Sequence, residues 1–194
     1  MDYKFFFRQI ALIIFSPGKA WKRISEENIP LRRVRNSLLF PLLIGVAICS
    51  FLGSLLFSNT TLHTIYSVFI AAKYFFLDLF VVYITSLLFR EIAKALDLAA
   101  DFPISFRIIV YSLVPFFILQ MASLLFESLA FINVLSLYGL WILWMGGDIT
   151  LNPPDHQKIP ILVAILVVVA ELYIGGNIAL SSVIERIYFS FFAR

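Results

Sequence analysis

Apolar residues fall in five long, nearly continuous runs, not with the alternation that marks a structure wetted on one face. A helix rises about 1.5 Å per residue, so crossing a hydrocarbon layer of about 30 Å takes about 20 residues. The runs that approach or exceed this length are residues 36–57, 62–89, 105–126, 131–148 and 159–183, the fourth being the shortest and densest between Phe131 and Met145. Helices are the expected form, because an open strand edge in lipid leaves backbone N–H and C=O groups without partners. The pattern predicts an all-α, polytopic membrane protein built as a five-transmembrane-helix bundle.

The links between runs are short. Ser58-Asn59-Thr60-Thr61 and Glu127-Ser128-Leu129-Ala130 have room only to reverse the chain into antiparallel hairpins. Residues from Arg90 to Phe102 are expected to continue helically until Pro103 interrupts them, and Asn152-Pro153-Pro154-Asp155 reads as a rigid turn before Pro160. No interval is long enough for a soluble domain. The organisation is therefore a cytoplasmic, amphipathic and basic region over residues 1–35, followed by the bundle over residues 36–194.

The N-terminal region differs in character from the runs. Tyr3 to Phe15 mixes four Phe with Lys4, Arg8 and Gln9, too short to span and too apolar to float, so it is expected to lie in the membrane interface. Arg8 splits its apolar stretch and no small-residue cleavage site follows, which argues against a signal peptide. Ser16-Pro17 reads as the N-cap and first position of a second short helix with Trp21 and Ile24 on one side. Lys19, Trp21, Lys22 and Arg23 are the expected lipid contacts, the indole at headgroup level and the cations on anionic lipid.

Composition supports the bilayer. Of 194 residues 61% are apolar and only 14% charged, against about 25% charged in soluble domains. With 21 Phe and a mean hydropathy of +0.96, one domain of this length could not bury its apolar side chains and stay wettable. The net charge of +3 forms no basic stripe with exposed aromatics, which argues against nucleic acid as a partner. It bears on topology instead. Residues 1–35 carry eight Lys or Arg, the second-to-third link carries Arg90, Lys94 and Arg107, and the fourth-to-fifth link carries Lys158. The short loops of the opposite side carry none, and the tail only Arg186 and Arg194. The positive-inside rule then puts the N-terminus in the cytoplasm and the C-terminus outside.

Lys73, Asp78 and Glu171 fall at membrane depth, where an isolated charge costs about 2.5–3.5 kcal/mol. Lys73 and Asp78 are five residues apart on one helix, pointing about 140° away from each other, so each needs a partner on another helix. Counted from the expected outer ends Leu62 and Val183, Lys73 and Glu171 lie about 16 and 18 Å deep. That match predicts an ion pair between them, with Asp78 deeper and either protonated or hydrogen-bonded to a Tyr or Ser such as Tyr111 or Ser112. The three serve either as structural glue or as a polar path for an ion or proton.

Gly45, Cys49 and Gly53 recur every four residues, a stripe that permits close helix approach in the bundle or in a homodimer. Cys49 is the sole cysteine and reads as a small packing residue. Pro115 predicts a kink in the third span, and Gly146-Gly147 and Gly175-Gly176 mark places where helices could break. No catalytic motif is present. His63 and His156 fall in loops expected on opposite faces, so no metal site and no cofactor is expected.

Ser16-Pro17-Gly18-Lys19-Ala20-Trp21-Lys22-Arg23-Ile24 resembles the "SP-x-x-AW-x-x-I" entry that precedes the first span in the YIP1 family. Tyr111-Ser112-Leu113-Val114-Pro115 is similar to that family's "Y-x-x-x-P". The resemblance implies a five-span helical bundle with a cytoplasmic N-terminus. Eukaryotic members act in vesicle traffic with prenylated Rab-type GTPases and with one another, through a longer N-terminal region with a "DLYGP"-like segment not found here. The chain looks like the short prokaryotic form, which implies a bacterial cytoplasmic (inner) membrane. The expected role is that of a non-enzymatic scaffold or interaction protein, with the lipid bilayer and itself or another membrane protein as partners. The alternative is a small transporter or channel whose path runs through Lys73, Asp78 and Glu171.

Overall fold

The computed structural model describes residues 3–27, 29–57 and 63–191; the reversal expected over Ser58-Asn59-Thr60-Thr61 lies outside them. Among the described residues every regular element is helical: α1 (Tyr3–Phe15), α2 (Pro17–Glu27), α3 (Leu31–Val34), α4 (Phe40–Phe57), α5 (His63–Ala95), α6 (Phe102–Ser112), α7 (Val114–Leu125), α8 (Tyr138–Leu151) and α9 (Asp155–Phe191). A π turn, Arg35–Leu39, joins α3 to α4. It sits directly before Pro41, whose missing N–H interrupts the hydrogen-bond ladder.

Among the described residues four helices are long and apolar enough to cross a membrane: Leu31–Phe57, Thr64–Ala95, Ser128–Leu151 and Asp155–Tyr188. The third crossing expected from the sequence is the pair α6 and α7, bent by 42° at Leu113. Taken as one broken span, it brings the number to five. Pro115 causes the bend, since its ring excludes the carbonyl of Tyr111 from the ladder. The fourth span departs from a plain α-helix: after Phe126 turns the chain with extended backbone, Glu127–Leu137 form a 3₁₀ helix that leads into α8.

The turns follow local chemistry. Helix α5 ends at Ala95, earlier than its polar continuation suggested, because Asp97 takes the left-handed conformation with φ 58°. Its N–H then donates to Lys94 O and that of Leu98 to Ala93 O, the paired bonds that close a helix C-terminus around a left-handed residue. Asn152, φ 46°, ends α8 in the same conformation, and Pro153 and Pro154 separate it from α9.

Helix α4 packs on α5 and α7, α5 also on α6 and α9, and α8 on α6 and α2. The small-residue stripe is used inside the bundle. A Cβ at Gly53 would lie 1.8 Å from the backbone oxygen of Leu124, and one at Gly45 would lie 2.7 Å from Met121 Cε. Both neighbours belong to α7, so glycine sets the α4–α7 spacing. Helix α9 is peripheral by contrast: 6% of the residues in its most apolar stretch are buried, against 44% in Leu31–Phe57.

Candidate functional site

Three polar side chains, one each from α5, α7 and α9, meet within the bundle. Asp78 lies 17 residues before the end of α5 at Ala95. Gln120 lies 18 residues after the start of α6 at Phe102, and Tyr173 lies 18 after the start of α9 at Asp155. Helices that begin and end at one face and rise equally per residue bring these positions to one depth. Gln120 Nε2 donates to Asp78 Oδ1 at 3.3 Å and to the Tyr173 hydroxyl at 3.1 Å. Asp78 and Gln120 are 1% and 2% exposed. Asp78 Oδ2 and Gln120 Oε1 have no hydrogen-bond partner among the described residues, and the O–H of Tyr173, whose oxygen accepts from Gln120, is the cluster's remaining donor.

The sequence placed Asp78 against Tyr111 or Ser112, and the structure corrects that. Ser112 donates its hydroxyl to Ile108 O at 2.7 Å, and Tyr111 points to α2. Both lie only nine or ten residues after Phe102, about half the depth of Asp78. Gln120 and Tyr173 went unremarked; an amide inside an apolar run was the signal that could have found them.

Lys73 is buried and donates to Ser181 Oγ at 3.1 Å, with its ammonium 4.3 Å from the Tyr74 ring centroid. The expected pair with Glu171 does not form. The depth count assumed an outer end at Val183, whereas α9 runs to Phe191. Counted from Phe191, the residue ten positions in is Ser181, matching Lys73 ten positions in from His63. Glu171 faces outward on α9, exposed, and has no hydrogen-bond or ion partner among the described residues.

The N-terminal helices dock on the bundle. Trp21, expected at headgroup level, is 1% exposed and donates its indole N–H to Ile142 O of α8 at 3.0 Å. Its ring stands edge-on to Tyr111 with centroids 5.7 Å apart, so the two segments that carry the family resemblance touch. One turn beyond Ile142, a Cβ at Gly146 would lie 2.4 Å from the indole; the missing side chain makes the ring's slot. Ala20 and Ile24 are buried beside Trp21. Lys19 and Lys22 are exposed, and Arg23 pairs with Glu27 on the same helix. Helix α1 turns Phe5, Gln9 and Ile13 inward and leaves Tyr3, Phe7 and Phe15 exposed for lipid. The Tyr138 hydroxyl donates to Ile14 O at 2.9 Å and ties the α1–α2 junction to α8.

Among the described residues no three His, Cys, Asp or Glu side chains gather to hold a metal ion. His156 is exposed in the first turn of α9. The side chain of His63 lies outside the described residues. Neither Gly146-Gly147 nor Gly175-Gly176 breaks its helix.

A family model described as Yip1 domain matches residues 11–176. No curated protein and no solved structure matches the chain. The matched segment takes in α2 with Trp21, the bent α6–α7 pair and the Asp78, Gln120 and Tyr173 cluster.

Proposed function

The chain belongs to the Yip1 domain family and is an integral multi-pass membrane protein, and we propose that it works as a scaffold or interaction protein in a bacterial cytoplasmic membrane. Its N-terminus lies in the cytoplasm and its C-terminus outside, a reading supported by the Lys and Arg gathered at the end of the bundle that carries α2 and the α5–α6 and α8–α9 turns.

The observation that carries this reading is Glu171. It stands midway along the span Asp155–Tyr188, exposed on the face of α9 turned away from α5. A charge alone at that depth costs about 2.5–3.5 kcal/mol, which a hydrogen-bond donor on a helix from another protein or from a second copy offsets. Gly175, one turn on, has nothing within 4 Å of where a Cβ would stand and leaves room for a close helix approach. The transport alternative needs Lys73, Asp78 and Glu171 along one path. Lys73 and Asp78 face separate clusters and Glu171 faces outward, so the geometry favours docking.

The test uses the full chain in membranes with Cys49→Ala and Ile178→Cys, which places a single thiol two turns from Glu171 on the same face. Cross-linking is expected to capture an adduct, and Glu171→Leu to abolish it while the amount of inserted protein holds or rises. An adduct of two chains identifies a second copy. An unaltered adduct in Glu171→Leu, or no adduct at all, rejects the reading.

A further inference from the structure

At the end of the bundle where α2, α6 and α8 converge, a cavity of about 210 Å³ opens between Trp21, Ile24, Ser25, Ile104, Arg107 and Thr150. One water needs only about 10–15 Å³ by the same kind of measure, so this space holds a small ligand group. Its chemistry is divided. Trp21, Ile24 and Ile104 make apolar walls, while Ser25, Arg107 and Thr150 bring donors from three different helices.

Arg107 is half-buried and held in place. Its Nε donates to Pro103 O one turn back at 3.1 Å, which fixes the plane of the guanidinium. Its two Nη groups have no protein acceptor among the described residues, and neither do the Ser25 and Thr150 hydroxyls. A guanidinium fork beside hydroxyl donors matches a group with three or more oxygens and a negative charge. The acidic side chain that could compete from α2, Glu27, is already paired with Arg23. Apolar walls lower the local dielectric and strengthen each charge-assisted bond.

We propose that this cavity binds a phosphoryl group, supplied by an anionic phospholipid headgroup or by free phosphate. Arg107 supplies the fork, Ser25 and Thr150 add hydroxyl donors, and the edge of Trp21 forms the floor. The location fits a headgroup: Arg107 lies in the second turn of α6, where the helix enters the apolar layer, and the exposed Lys19 and Lys22 of α2 draw anions toward the same end. Because Trp21 forms both the floor and the anchor of α2, an occupant there contacts the N-terminal helix and the bundle together.

The experiment is native mass spectrometry of the full chain released from detergent, with phosphatidylglycerol, with diacylglycerol, which lacks the phosphoryl group, and with inorganic phosphate alone. Phosphatidylglycerol is expected to stay bound and diacylglycerol to leave. Arg107→Gln should lower retention at least tenfold, Arg107→Lys less, and Lys94→Gln, a cation outside the cavity, not at all. If inorganic phosphate binds alone and displaces the lipid, the source is free phosphate; if it does neither, the headgroup is the ligand. Thr150→Val and Ser25→Ala, each expected to cost a few-fold, replace Arg107→Gln should that variant not fold. Retention unchanged in Arg107→Gln, or lost equally in Lys94→Gln, overturns the proposal, as does unchanged retention in both replacement variants.

Discussion

Replacing Gly146 by Ala should loosen the N-terminal helices in the native chain and tighten α8 once Trp21 is gone. In the native chain the new methyl would stand 2.4 Å from Trp21 Cζ2 and 2.6 Å from Cε2, so a rigid ring must back out by about 1 Å to restore ordinary contact, at a cost of about 1–3 kcal/mol. Moving it also stretches the indole bond to Ile142 O, now 3.0 Å, worth about 1 kcal/mol. Helix propensity returns about 0.5–1 kcal/mol, leaving a net loss of about 1–3 kcal/mol. Trp21→Ala alone empties a fully buried indole site and should cost about 3–5 kcal/mol. In that background the methyl of Gly146→Ala meets a void, so only the propensity gain remains and its sign reverses. The coupling in the double-mutant cycle is therefore about 2–4 kcal/mol. Amide hydrogen exchange of residues 17–27 in detergent measures the opening of α2 directly. A Trp21 that merely rested at the headgroups would leave the two changes additive, and additivity within about 0.5 kcal/mol would refute the docked arrangement.

Gly53→Ala should destabilise the bundle by about 3 kcal/mol or more, because the obstacle is the Leu124 backbone oxygen at 1.8 Å, which has no rotamer to change; Gly147→Ala, with nothing within 4 Å, should gain about 0.5–1 kcal/mol, and denaturation midpoints of the two variants in one detergent compare them. Gln120→Leu removes the bonded donor of Asp78 and should cost about 1–3 kcal/mol. Asp78→Asn keeps an acceptor for Gln120 and adds a donor for its free Oε1, so it should be neutral or stabilising; a loss as large as that of Gln120→Leu would show that the cluster needs the carboxylate itself. Asp97→Gly should raise stability slightly by relieving a left-handed residue, read from the same midpoints.

The spans and the Pro115 bend were legible because both follow from chain-local physics: hydrocarbon thickness sets run length, and a missing N–H sets the kink. The partners of the buried charges were not, because depth counting is only as good as the helix end it starts from. Moving the outer end of α9 from Val183 to Phe191 exchanges Glu171 for Ser181 opposite Lys73. Counting inward from the other end, where prolines and left-handed residues mark the termini, would have brought Asp78, Gln120 and Tyr173 to one level. Trp21 misled for a different reason. An amphipathic helix with an indole and flanking cations fits a headgroup layer and a protein groove equally well, and the deciding residue, Gly146, lies 125 positions away in the sequence. Its apolar neighbours gave no local sign that a slot exists there.

The outward position of Glu171 is forced by what α9 uses on its other side. Ile165, Tyr173, Gly176, Ile184 and Tyr188 form its inner stripe. Tyr173 shares Gln120 with Asp78, Gly176 admits Leu77, whose Cδ1 would lie 2.6 Å from an added Cβ, and Ser181 holds Lys73. Glu171 and Tyr173 are two residues apart, about 200° around the helix, so turning α9 to bury the carboxylate would swing Tyr173, Gly176 and Ser181 away from α5 and α7. That rotation would strip Lys73 of its protein hydrogen bond and Gln120 of one of its two acceptors, each loss about 1–3 kcal/mol for a group buried at membrane depth, as much as burying Glu171 could recover. The bundle therefore cannot satisfy Glu171 from within. Ser181→Val tests this logic: it should destabilise the α5–α9 contact in the isolated chain without changing a cross-link from Ile178→Cys, because the inner and outer stripes do separate work.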